Sequence, residues 1–175
     1  MARMATGLIS SLAILYRSYG GLKSLLRSEY FYLSLCVAGL CWRMAWDGTW
    51  SDLARNILPT LSGFTIAAYA IFFAVLDERA REALRAPAEA LDNRSPLLIL
   101  ASSISHAVVV QIAALILAII FFAKPFPTIL CAEEWAIYTN IAYSSVGLFL
   151  TIYGVMLILA SILSIFRILE IRSRL

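Results

Sequence analysis

The sequence predicts an all-α integral membrane bundle of four transmembrane helices with an N-terminal interfacial amphipathic helix. Three observations predict it. Of 175 residues, 62% are apolar and only 14% charged, whereas a soluble domain is about 45–50% apolar and about 25% charged. Three stretches lack Asp, Glu, Lys and Arg altogether: Asn56–Leu76, Ser95–Ala123 and Trp135–Phe166. The basic residues fall mostly on one side of those stretches. So apolar a chain of this size cannot hide its surface in one water-soluble core, which argues against a soluble enzyme, a disordered tail or a disulfide scaffold.

Each charge-free stretch reaches the roughly 20 apolar residues that a spanning helix needs. The expected spans are 57–76, 97–120 and 141–166. A further span over 30–46 is marginal, because Tyr30–Trp42 provides 13 charge-free residues. It reaches Trp46 if Arg43 lifts its guanidinium to the headgroups. Charge decides in its favour. With four spans, 11 of the 14 Lys and Arg residues lie in the N-terminal segment, the 77–96 loop and the C-terminal tail. The positive-inside rule then puts both termini in the cytoplasm. Trp42, Trp46, Trp50 and Trp135 are expected at the outer interface and Tyr30 and Tyr32 at the inner one.

Two parts are thus expected: a segment 1–29 on the cytoplasmic leaflet and a transmembrane domain 30–175. Leu8, Leu12, Leu15, Tyr19, Leu22 and Leu26 recur at alternating four and three residues, an apolar seam on a helix with a bend at Gly20-Gly21. The second span is expected to continue past Asp77 into the cytoplasm as a charged helix ending before Pro87. Its Arg79, Arg81 and Arg85 are candidate docking residues for a cytosolic protein. Pro59 is read as belonging to the first turn of the second span, after Asn56. The 124–140 loop is expected outside, with 129–138 along the surface. Arg outnumbers Lys 12 to 2, the reason to place the chain in a bacterial inner membrane.

The motifs exclude more than they assign. A single histidine rules out a His cluster, and Cys36, Cys41 and Cys131 form no C-x-x-C pair. There is no Gly-rich phosphate loop and no G-x-S-x-G elbow. No cofactor, metal or direct nucleic-acid binding is expected, and no enzyme.

Inside the three long spans the polar residues are neutral at rest. Ser102, Ser103, His106 and Gln111 on the third span, Thr65 and Tyr69 on the second, and Thr151 and Tyr153 on the fourth form a candidate polar site. His106 is read first as an interhelical hydrogen-bonding group and second as a protonation switch. Small residues make two stripes: Gly63, Ala67, Ala70 and Ala74 on the second span, and Gly147, Thr151 and Gly154 on the fourth. Such faces let helices approach closely. Packing within the chain is the first expectation for both, homo-oligomerisation the second.

The functional expectation is a non-enzymatic membrane sensor, effector or anchoring subunit that couples to a cytosolic partner, in a stress, phage-defence or toxin-immunity setting. The alternative is an oligomeric channel lined by the His106 and Gln111 face. A membrane-embedded lipid enzyme comes third.

Overall fold

The computed structural model describes residues 2–87, 95–123 and 133–173. Among them every regular element is helical: α1 (Ala2–Tyr19), α2 (Gly21–Leu26), α3 (Glu29–Leu40), α4 (Trp42–Asp47), α5 (Trp50–Val75), α6 (Glu78–Arg85), α7 (Pro96–Phe122) and α8 (Glu133–Ser173). Three of these, α5, α7 and the Trp135–Phe166 part of α8, are long and apolar enough to cross a membrane. At 1.5 Å per residue the 26 residues of α5 and 27 of α7 each extend ~40 Å, past a hydrocarbon core of about 30 Å.

Helices α7 and α8 form the central antiparallel pair. Leu117 accepts a hydrogen bond from Tyr143 near one end, and Gln111 reaches Gly154 midway. Helix α5 packs on both, α3 and α4 pack on α8, and α1 lies along α7. Chain entry to α7 is fixed by Ser95, whose hydroxyl accepts from the Leu98 N–H, with Pro96 in the first turn where its missing N–H costs nothing.

The outer surface carries many large apolar side chains. Phe64, Ile71, Ile116, Ile119 and Ile162 are all exposed. In water this would be an aggregation hazard; against lipid tails it is the expected finish of a membrane bundle.

Several expectations need correcting. Helix α5 begins at Trp50, not near residue 57, so Pro59 lies inside the helix, as its tenth residue. Neighbouring helices and local adjustment let a membrane helix tolerate such a proline. Helix α8 starts at Glu133 and takes in the residues expected along the surface up to Tyr138. Charged residues mark where lipid ends, not where a helix ends.

The segment after α5 does not continue that helix. Leu76 turns into extended backbone and α6 folds back on α7. Leu84 is buried there, and Ser95 donates a hydrogen bond to its carbonyl. The guanidinium of Arg81 caps the end of α5 at the Phe73 carbonyl, 2.9 Å away.

Trp50 departs furthest from expectation. Trp42, Trp46 and Trp135 are exposed, as interfacial rings should be, but Trp50 is wholly buried. Its ring lies on Gly147, where any Cβ would run into it, and meets the Phe121 ring at 5.5 Å.

Candidate functional site

The intramembrane polar residues divide by where their hydrogen bonds go. In lipid a polar group with no water to bond must find a protein partner, and most of these find it on their own helix. Ser102 donates to the Ile99 carbonyl, Thr65 to Leu61 and Thr151 to Gly147. These side chains are satisfied locally and aim at no common centre. Tyr69 is half-buried and packs on Phe73 at 4.6 Å, away from His106.

The remaining members cross between helices. Gln111 is fully buried and its Nε2 donates to the Gly154 carbonyl at 3.0 Å. Gly154 gives the bond room: a Cβ would stand 3.1 Å from Gln111 Cγ, a tight approach. His106, 1% exposed, places Nε2 3.4 Å from the Tyr153 hydroxyl, also on α8. The sequence therefore assembles a true α7–α8 polar seam from His106, Gln111, Tyr153 and Gly154.

Two aromatics from α1 complete it. Tyr19 lies over the His106 ring at 4.5 Å and Tyr16 meets it edge-on at 5.8 Å. Burial lifts the Tyr19 phenol above its ordinary pKa, an effect opposed by a hydrogen bond from Tyr153. Phe31 of α3 and Phe149 of α8 pack around Tyr153 at 5.9 and 5.7 Å. Tyr19 was visible in the apolar seam of the N-terminal segment. Tyr16 lies beside that seam and carried no signal of its own.

This arrangement joins α1, α7 and α8 through hydrogen-bonding and ring contacts. No group of three or more His, Cys, Asp or Glu side chains suited to a metal ion exists among the described residues.

The two small-residue stripes point in opposite directions. Gly147 and Gly154 are buried, under Trp50 and Gln111. Gly63, Ala67, Ala70 and Ala74 are all exposed, so packing within the chain is not what the α5 stripe serves. On α6, Arg79 and Arg85 are exposed while Arg81 is committed to the Phe73 carbonyl.

The Gln111 bond carries a measurable expectation. Gln111→Leu keeps the volume and removes the donor to Gly154. The loss should be about 0.6 kcal/mol and no more than about 1.7, the range for interhelical hydrogen bonds in membranes, read by reversible unfolding in mixed micelles.

Comparison with protein families, with curated proteins and with solved structures finds no match for this chain.

Proposed function

We propose that this protein is a small non-enzymatic, homo-oligomeric component of a bacterial inner membrane that couples the bilayer to a cytosolic protein, as a sensor, effector or anchoring subunit in stress, phage defence or toxin immunity. The observation that carries the reading is helix α6. Arg81 and Ser95 clip it to the bundle, and Glu78, Arg79, Glu82 and Arg85 stand exposed in a fixed array. A charged helix clipped beside a membrane is a surface for recognition, because its backbone is already ordered when a partner arrives and only its side chains must be fixed.

The topology belongs to the same proposal. Helices α3 and α4 run from Glu29 to Asp47 with one interruption at Cys41, whose N–H still bonds to the Val37 carbonyl. Nineteen residues at 1.5 Å extend ~28 Å, slightly short of a core about 30 Å thick, a mismatch that local bilayer thinning and snorkelling side chains accommodate. Arg43 is exposed and 3.8 Å from Asp47, consistent with the interface. Both termini then lie in the cytoplasm, with α1 entering beside α7 so that its Tyr16 and Tyr19 reach His106. The outward stripe on α5 supports association with a second copy. A pore lined by His106 and Gln111 would require α1 and α8 to part from α7, since Tyr16 and Tyr19 of α1 and the α8 face cover these side chains.

The test is affinity purification of the tagged full chain from native membranes in mild detergent. A cytosolic protein should accompany it, and Arg79→Ala with Arg85→Ala should weaken that association about tenfold, a loss of ~1.4 kcal/mol. Recovery of no cytosolic protein, or undiminished recovery with the double variant, would overturn the docking role.

A further inference from the structure

A cavity of about 260 Å³ opens beside the His106 cluster, between the α1–α2 turn, the start of α3, α7 and α8. Its walls are unusual for a membrane bundle. Tyr19, Ser24, Ser28 and Tyr30 of the N-terminal helices line it together with Ser103 of α7 and Ser161 and Ser164 of α8. Leu157 and Ala160 complete the lining, and no lining residue carries a charge.

The hydroxyls fall into two chemical groups. Ser161, 7% exposed, and Ser164 spend their protons on the Leu157 and Ala160 carbonyls, so their oxygens face the cavity as acceptors. Ser28 stands at the α3 N-cap yet makes no side-chain capping bond, which leaves its hydroxyl for the cavity. A ligand that donates and accepts is complementary to such a wall. An ionised ligand is not, because no counter-charge would offset its desolvation.

Depth narrows the class further. Ser103 is the eighth residue of α7, ~10 Å along the helix from its start. With ~40 Å of helix over a core about 30 Å thick, α7 overhangs by ~5 Å at each end, so a centred α7 puts Ser103 ~5 Å below the headgroup boundary, within reach of a glycerolipid's glycerol and ester groups. Pockets for drug-sized ligands begin at about 300 Å³, so this one suits a smaller group.

We propose that this cavity binds the uncharged glycerol portion of a neutral lipid or of a free polyol, with a hydroxyl of the ligand donating to Ser161 or Ser164 and its oxygens accepting from Ser28, Tyr30 and Ser103. The Gly20-Gly21 turn, with φ of 110° and 74°, sets the bend that brings Tyr19 and Ser24 to the cavity wall. The site goes beyond the docking role of α6 and does not require it, so failure of partner co-purification leaves its test intact.

The test is retention of radiolabelled probes on the immobilised full-length protein, in a zwitterionic detergent without hydroxyl groups. The probes are dioctanoylglycerol, glycerol and dioctanoyl phosphatidate. Saturable retention of dioctanoylglycerol alone assigns the site to a leaflet lipid; saturable retention of both neutral probes assigns it to a free polyol. Either result, with phosphatidate left behind, supports the site. Tyr30→Phe with Ser103→Ala removes two oxygens and no packing volume of consequence. It should weaken retention about tenfold, as loss of two hydrogen bonds would, while the variant elutes from size exclusion as the parent does. No saturable neutral binding, equal retention of phosphatidate, or a double variant that binds as the parent does would each overturn the proposal.

Discussion

Gly147→Val should leave little protein that elutes as a folded species, the largest effect expected from a single substitution in this chain. The Trp50 ring occupies the space a side chain would need, and it cannot retreat, being fully buried between Gly147 and Phe121. Overpacking a close-packed interior costs about 1–3 kcal/mol, occasionally more. Here backbone meets ring, and α8 must move off α5. The specific signature is rescue. Trp50→Ala alone opens a void, yet combined with Gly147→Val it should be less damaging than the sum of the two, because each change relieves the other's defect. Reversible unfolding of the four proteins in mixed micelles gives the coupling energy. Strict additivity would mean that the ring and the glycine do not form one contact.

Tyr153→Ala should be nearly as severe, and Tyr153→Phe mild. Tyr153 is 2% exposed and central to the ring cluster of His106, Phe31 and Phe149. Truncating a buried Phe or Trp in a soluble core costs about 3–5 kcal/mol. In lipid the share due to transfer from water falls away and the packing share remains, so a loss of order 2 kcal/mol is expected. Removing only the hydroxyl gives up the His106 contact and the hydrogen bond to Tyr19, each worth about 0.6 kcal/mol. Equal effects from the two substitutions would assign the stability to the hydrogen bonds and not to the rings. The comparison again uses unfolding in mixed micelles, with helix content monitored by circular dichroism.

The parts of the fold legible in the sequence are those dictated by the absence of water. A bilayer rejects charge along some 20 residues, so α5, α7 and most of α8 stand out as charge-free runs. The same rule made α8 look shorter than it is. Glu133 and Glu134 ended the apolar run while the helix began with them. Fold-back of α6 was illegible because it depends on two long-range bonds, Arg81 to Phe73 and Ser95 to Leu84, that no periodicity announces.

The site was legible in its composition and not in its partnerships. His106, Gln111 and Tyr153 are conspicuous as polar side chains in apolar spans. Spacing alone could not separate them from Ser102, Thr65 and Thr151, which resemble them in sequence but bond to their own helices. Trp50 shows the limit most plainly. Its residue type and position near a span end indicate an interfacial ring. Only the missing Cβ of Gly147, far along the chain, makes room for it inside. Regular spacing likewise identified the stripe from Gly63 to Ala74 without saying which way it would face.

The proposed topology is tested most directly by cysteine accessibility. In a chain whose Cys36, Cys41 and Cys131 are replaced, single cysteines are placed at Ser10, Thr49 and Ala86 and exposed to a membrane-impermeant maleimide in intact spheroplasts. The four-span account predicts labelling at Thr49 alone, with Ser10 and Ala86 protected until the membrane is permeabilised. Labelling of Ser10 from outside would contradict it: the N-terminal segment would then lie across the membrane from α6, and α3–α4 would not be a span.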